Sequence, residues 1–78
     1  MVATMASPKI KYPNQLRRLR KAKGLTLQDV ADEIGVAKIT VSQYERGIDP
    51  IPEHRVFQLA ELYNVSPLHI FVYQPHVS

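Results

Sequence analysis

The stretch GVAKITVSQYERG (residues 35–47) constrains the fold most, because it fits two different secondary structures. Over residues 37–42 apolar and polar side chains alternate and several are β-branched, which is typical of a half-buried strand. At helical spacing, the same stretch places Ala37, Val41 and Tyr44 on one face, between two glycines suited to helix ends. A helix here would leave a polar outward face, so the choice bears directly on function.

Two short helices are predicted before this stretch. Leu16 and Leu19 lie on the inward face of QLRRLRKAK, and Gly24 suits the position after a helix, where a positive φ is needed. Thr26 is a good N-cap, and Asp29 three residues later predicts a capping box. The second helix has an acidic outer face and an apolar inner face consisting of Leu27, Val30, Ala31 and Ile34.

Further helices are predicted after it. Asp49-Pro50 favours a turn, and Pro52 suits the first position of a new helix. Ser66-Pro67 repeats this signal and begins a short last helix that ends near Phe71. The apolar residues of the longer helix are Val56, Leu59, Ala60 and Tyr63.

The surrounding elements decide between strand and helix for the contested stretch. A strand over 37–42 would have only residues 70–73 as a partner, and an isolated two-stranded ribbon is marginal in water. Tertiary context often overrides the β preference of branched residues. We therefore predict a helix over about 37–46.

Composition limits the class of protein. A chain of 78 residues forms one small domain, and without cysteine it has no disulfide or thiolate metal site. No apolar run approaches the roughly 20 residues of a membrane span, so we expect a cytoplasmic protein with no membrane contact. The histidines lack ligand spacing and no Gly-rich phosphate loop exists, so we expect no catalytic residues, no metal, no cofactor and no enzymatic activity.

Charge is unevenly distributed along the chain. Residues 1–46 carry nine Lys or Arg against four Asp or Glu, a net charge of +5, whereas residues 47–78 carry one against three, a net charge of −2. A basic first half indicates a polyanionic partner. Alternatively, the basic cluster RRLRKAK is an ordinary solvated helix face that binds no partner.

The segments LRRLRKAKGLTLQDVADEIGVAKITVSQYERG and QLAELYNVSPLHIF resemble the phage repressor/Cro-type (XRE) helix-turn-helix family, over about residues 16–71. The resemblance implies an all-α, compact five-helix, lambda-repressor-like domain that binds double-stranded DNA, usually as a homodimer. We expect this domain over 14–72, with the helix-turn-helix at about 27–46. A flexible arm (1–13) precedes it and a loose tail (73–78) follows.

The outward face of the predicted helix over 37–46 would lie in the major groove. Lys38 suits guanine O6 and N7, and Gln43 suits adenine N6 and N7. Ile39 could contact a thymine methyl, although single exposed apolar residues are also ordinary. The predicted base-reading residues are Lys38, Ile39, Ser42 and Gln43.

Phosphate contacts are expected at helix N-termini and from nearby polar side chains. Many family members have glutamine where this chain has Leu27, so Gln28 takes that role in our prediction. The predicted phosphate-contacting residues are Thr26, Gln28, Thr40 and Arg46. The resemblance also implies that Arg20 and Glu45 form a structural ion pair.

The sequence therefore predicts a small transcriptional regulator, expected to be a repressor, that recognises specific double-stranded DNA. The alternative is an antitoxin-type or adaptor-type module that binds a protein partner, with secondary or no DNA binding. In that case the apolar residues 70–73 could form a docking surface, although the role we expect for them is to close the domain's own core or a homodimer interface.

Overall fold

A computed structural model describes residues 11–71, which form four α-helices and one 3-10 turn. Their bounds are α1 (Leu16–Ala22), α2 (Leu27–Ile34), α3 (Lys38–Arg46), α4 (Glu53–Tyr63) and the 3-10 turn (Pro67–Ile70). Within 11–71 no residue lies in a strand, and Asn14 and Phe71 form one isolated antiparallel bridge. The helical prediction for the contested stretch is therefore confirmed. Most of the predicted arm and all of the predicted tail lie outside the described residues.

The two ends of α2 are formed by the residues that the sequence indicated. The Thr26 hydroxyl accepts from the Asp29 amide at 3.0 Å, and the Thr26 amide donates to the Asp29 carboxylate at 2.9 Å. Gly35 ends the helix with a φ of 75°, and its amide donates to the Ala31 carbonyl at 2.8 Å. The turn into α3 thus uses a left-handed conformation that glycine adopts without a Cβ penalty.

The capping box makes stability depend on pH. Hydrogen bonds from the Thr26 amide and hydroxyl lower the pKa of Asp29 below its ordinary value. Asp29 therefore stabilises the fold above the unfolded-state pKa of about 4, and this contribution is lost as pH falls through the lowered native pKa. We expect wild type to be more stable than Asp29→Asn at pH 6. Thermal melts should show the difference shrinking towards pH 2.5, and a constant difference would contradict this role.

The beginnings of α3 and α4 differ by one residue from prediction. Ala37 is exposed, whereas we predicted it on the buried face. Its φ of −75° and ψ of 151° are extended, so it lies just before the helix as an N-cap and does not share the face of Val41 and Tyr44. Pro52 is likewise an extended N-cap, and α4 begins at the next residue.

The last predicted helix is a single 3-10 turn, so the described residues contain four α-helices and the predicted count of five is not met. The Ser66 hydroxyl accepts from the Leu68 amide at 3.2 Å, as a cap before Pro67 should. The His69 amide then bonds to the Ser66 carbonyl at 2.8 Å. Phe71 is extended and pairs with Asn14, so the chain leaves the turn before an α-helical register forms.

The core lies between α1, α2, α3, α4 and the 3-10 turn. Its largest fully buried side chains are Leu16, Leu59, Ile70, Val30 and Val41. The remaining buried residues are Ala31, Ile34, Tyr44, Val56, Ala60 and Tyr63. Every element therefore contributes to one apolar core, which gives α3 a fixed support.

Tyr63 introduces one unsatisfied polar group into this core. Its hydroxyl is buried and has no hydrogen-bond partner among residues 11–71, and burial together with the nearby Glu45 carboxylate raises its pKa to about 12. Because an unpaired buried hydroxyl is costly, we expect Tyr63→Phe to raise the free energy of unfolding by about 1 kcal/mol.

The pH dependence of the same variant provides a second measurement. In wild type, the raised pKa means that the neutral phenol favours the folded state, so stability is full below about pH 10 and falls as pH rises towards 12. Tyr63→Phe should lose this alkaline decline. Denaturant titrations at pH 7 and pH 11 test both statements, and a destabilised variant at pH 7 would show that the hydroxyl has a partner.

Candidate nucleic-acid interface

Helix α3 has one face in the core and one face in solvent. Val41 and Tyr44 are buried, whereas Ile39 is 59% exposed. We call the solvent side the outward face, which consists of Lys38, Ile39, Ser42, Gln43 and Arg46. Successive residues of an α-helix are about 100° apart, so these five side chains span about 140°. The structure therefore brings the four predicted base-reading residues and Arg46 together on one surface.

The chemistry of the outward face suits a polar, anionic partner. Lys38 and Arg46 are exposed cations near its two ends, and Ser42 and Gln43 are half-buried between them. The residues of this face include no carboxylate. The face can donate hydrogen bonds, accept them through an amide and a hydroxyl, and make one apolar contact through Ile39.

The N-terminus of α2 is less open to a phosphate than the sequence suggested. Thr26 and Gln28 are exposed, but the Thr26 hydroxyl and amide are both engaged with Asp29. The Gln28 amide group donates to the Asp32 carboxylate at 2.8 Å. The Asp29 carboxylate also places a negative charge in the first helical turn. The amides of Leu27 and Gln28 have no acceptor within residues 11–71, so they are the available donors here.

The other two predicted phosphate residues lie on α3. Thr40 is half-buried in the first turn, where its backbone amide bonds to the Ala37 carbonyl at 3.0 Å. Arg46 is exposed in the last turn. The structure thus places these two residues at opposite ends of the same helix.

Arg20 of α1 and Glu45 of α3 form an ion pair at the edge of the core. The distances are 2.7 Å from Nε to Oε2 and 3.2 Å from Nη2 to Oε1, and the side chains are only 11% and 6% exposed. Nη1 also donates to the Leu25 carbonyl at 2.9 Å. The bond to Glu45 raises the pKa of Arg20. The pair joins α1 to the last turn of α3, in the arrangement that the family resemblance implies.

Residues 11–15, which we call the strap, cross the end of α3. The Lys11 and Tyr12 amides both donate to the Gly47 carbonyl, at 3.0 and 2.9 Å. The Asn14 side chain donates to the Tyr44 carbonyl at 2.7 Å. These bonds differ from prediction, because we assigned residues 11–13 to a flexible arm. Nothing in the local sequence signals them, since the acceptors lie 30 to 36 residues away along the chain.

Arg55 is a second contact that sequence reasoning missed. Its Nη1 donates to the Ile34 carbonyl at the end of α2 and to the Gln58 side chain, both at 2.7 Å. A cation at a helix C-terminus also complements the partial negative charge there. Arg55 thus stabilises the end of α2 that leads into the turn before α3. Only its charge was visible in the sequence.

Helices α2 and α3 are joined by a turn that contains Gly35, and α3 packs on the core with its outward face in solvent. This arrangement is typical of the DNA-binding helix-turn-helix motif. The helix-turn-helix family model (HTH_3) matches residues 16–70. This chain belongs to that helix-turn-helix family. The resemblance to the phage repressor/Cro type is thereby confirmed.

Relatives and solved structures agree with this assignment of the helix-turn-helix domain. The uncharacterized HTH-type transcriptional regulator YobD of Bacillus subtilis is 42% identical over 55 residues, which are 70% of this chain and 49% of YobD. The chain therefore spans about half the length of that relative. The restriction-modification controller protein C.AhdI of Aeromonas hydrophila is 32% identical, with a TM-score of 0.67 over 73% of this chain and 86% of C.AhdI.

A further solved structure supports the fold alone. The putative DNA-binding protein from Bacteroides fragilis has a TM-score of 0.70 and 22% identity, over 74% of this chain and 94% of its own. In the part of the chain that the structure describes, no helix is long and apolar enough to cross a membrane. Nor do residues 11–71 contain a cluster of His, Asp or Glu that could hold a metal ion.

Proposed function

We propose that this helix-turn-helix domain binds specific double-stranded DNA and regulates transcription, with α3 in the major groove. The observation that carries the proposal is the outward face of α3, where polar side chains suited to base edges share one surface without a carboxylate. The major groove admits an α-helix and displays a distinct donor and acceptor pattern for each base pair. YobD and C.AhdI, which are described as a transcriptional regulator and a controller protein, support the same function.

Within this proposal the residues of α3 have separate roles. Lys38 donates to guanine O6 and N7, Gln43 pairs with adenine N6 and N7, and Ile39 contacts a thymine methyl. Ser42 lies between them and bonds to either base type. Thr40 and Arg46 contact phosphates beside the groove. At the start of α2 we assign the phosphate contact to backbone amides, with Thr26 and Gln28 as weaker side-chain contributors.

We further propose that the domain acts as a homodimeric repressor in the cytoplasm. Phe57 on α4 and Leu68 on the 3-10 turn are large apolar residues that are 54% and 83% exposed. These elements pack against each other, α4 also packs on α2, and neither residue belongs to the outward face of α3. Burying them between two copies would leave both α3 helices free to enter half-sites about 34 Å apart.

The salt dependence of DNA binding tests the proposed function. A mobility-shift titration with random and selected duplexes should give a log–log slope of about −0.9 for each phosphate contacted, because counterions are released. Absence of binding even at low salt would reject DNA recognition. That outcome would favour an antitoxin-type or adaptor-type protein, with exposed Phe57 and Leu68 as its docking residues.

Gln43 provides the residue-level prediction. We expect Gln43→Ala to weaken binding to the selected site by about 1–3 kcal/mol and to leave random-sequence binding nearly unchanged, since a base contact carries specificity. Arg46→Ala is the matched control, because this exposed cation is assigned to phosphate and its loss weakens both duplexes equally. Equal losses on both duplexes for Gln43→Ala would show that this residue does not read a base.

A further inference from the structure

We infer that the strap, and Asn14 in particular, positions the last turn of α3 for base recognition. This inference rests on the proposed function and adds to it a residue that never touches DNA. Its basis is a set of hydrogen bonds that join the C-terminal end of α3 to the 3-10 turn through residues 11–15. Asn14 is therefore a positioning residue.

The two ends of α3 are held in different ways. At its beginning, Ala37 offers no side-chain cap. At its end, the strap supplies three donors: two amides to the Gly47 carbonyl and the Asn14 side chain to the Tyr44 carbonyl. The Arg20–Glu45 pair holds the same turn from α1. The last turn of α3 is therefore fixed mainly by the segment that precedes the helix-turn-helix.

The other side of the strap is attached to the C-terminal turn. The Gln15 amide donates to the Ile70 carbonyl at 2.6 Å, and its side chain donates to the His69 and Phe71 carbonyls at 3.1 and 3.3 Å. His69 and Phe71 are exposed, but Ile70 between them is fully buried and fixes this part of the chain to the core. Asn14 and Gln15, adjacent in sequence, thus connect α3 to the 3-10 turn.

The position of this anchor matters for recognition. Gln43 and Arg46 belong to the half of α3 that the strap holds, whereas Lys38 is at the other end, about 7.5 Å along the axis from Gln43. A bidentate contact between an amide and a base needs accurate distance and angle, because hydrogen bonds weaken steeply with misalignment. Loosening the last turn should therefore affect bases read by Gln43 more than those read by Lys38.

Two substitutions separate positioning from folding. The Asn14 carbonyl oxygen accepts from the Leu16 amide at 3.0 Å and so supports the start of α1. Asn14→Asp keeps that acceptor but loses the donor to Tyr44, whereas Asn14→Ala loses both. Ser66→Ala is the matched control, because it removes a single cap bond of the 3-10 turn and leaves the strap intact.

The measurement is discrimination at each base pair of the selected site. Positions are first assigned with Gln43→Ala and Lys38→Ala. Both Asn14 variants should lose about fivefold or more in discrimination at the Gln43 positions, the lower end of what a bidentate contact contributes, and none at the Lys38 positions. Ser66→Ala should keep wild-type discrimination. Unchanged discrimination, or an equal loss at every position, would overturn the inference.

A second measurement needs no DNA. In the free protein, Asn14→Asp should shift the backbone amide NMR signals of residues 43–47 and increase exchange of the Gly47 amide, which bonds to the Tyr44 carbonyl at 3.0 Å. Signals of residues 38–40 should remain in place. Unshifted 43–47 signals would overturn the positioning role. A wild-type protein that binds no DNA would instead reject the proposed function, so the two failures are distinguishable.

Discussion

Glu45→Ala lowers the free energy of unfolding by about 3–5 kcal/mol in our account, because it leaves the Arg20 guanidinium at the edge of the core without its carboxylate. Both side chains are nearly inaccessible to solvent, and two hydrogen bonds join them. Domains of this size have total stabilities near the lower end of 5–15 kcal/mol. Urea titration should therefore show Glu45→Ala close to unfolding in buffer.

A double variant separates the loss of the pair from the loss of packing. In Arg20→Met/Glu45→Leu no charge remains unpaired, so much of the stability should return. The bond from Arg20 to the Leu25 carbonyl is also lost, which limits the recovery. If the free energy of unfolding of Glu45→Ala lies within about 1 kcal/mol of the wild-type value, water compensates the charge of the Arg20 guanidinium and the account of this pair is wrong.

Ile70→Ala should cost about 2–5 kcal/mol, the range for deleting a buried aliphatic side chain and leaving a cavity. Ile70 has no exposed surface and belongs to a turn of only four residues. The large effect expected from so short an element follows from its packing against α4, since the turn itself has little intrinsic stability.

The neighbouring Leu68 is the natural control. It lies in the same turn but is 83% exposed, so Leu68→Ala should change stability by less than about 0.5 kcal/mol in the monomer. Calorimetric melts at low protein concentration compare the two variants. Equal destabilisation by both substitutions would mean that the turn contributes through its backbone and not through the Ile70 side chain.

The helices that the sequence predicted well are those whose ends carry their own chemistry. Thr26, Asp29 and Gly35 specify both ends of α2 through side-chain caps and a left-handed turn, and all three act locally. The apolar face of α2 is also unmixed. Local signals of this kind act within four residues, so they can be recognised without knowledge of the tertiary contacts.

The features that the sequence missed depend on distant partners. Asn14 bonds to a carbonyl 30 residues away, and Arg55 bonds to one 21 residues away. An asparagine before a helix predicts a cap, and an arginine predicts a charge, but neither indicates its acceptor. The sequence pattern puts Ala37 on the buried face, whereas it is exposed in the structure. The reason is related, because the sequence does not show whether a residue at a helix boundary belongs to the helix or precedes it.

The outward face of α3 could be predicted because Val41 and Tyr44 define the buried side of the helix, so the residues on the opposite side must face solvent. The helical periodicity of the sequence therefore predicts which side chains share this outward face. Periodicity does not predict the competition at the start of α2. There the Asp29 carboxylate accepts from the Thr26 amide, and the Asp29 amide donates to the Thr26 hydroxyl, so both Thr26 groups are engaged where a phosphate would bind. That competition depends on the rotamers of the capping box.

Selection of bound duplexes from a randomised DNA pool tests the central claim, recognition of specific DNA by the outward face of α3. Wild type should enrich a site with two symmetric halves about 34 Å apart, as expected for a dimer. Gln43→Ala should enrich the same site with one base pair per half no longer specified. A wild-type pool that remains random, or an identical consensus for both proteins, would contradict the account.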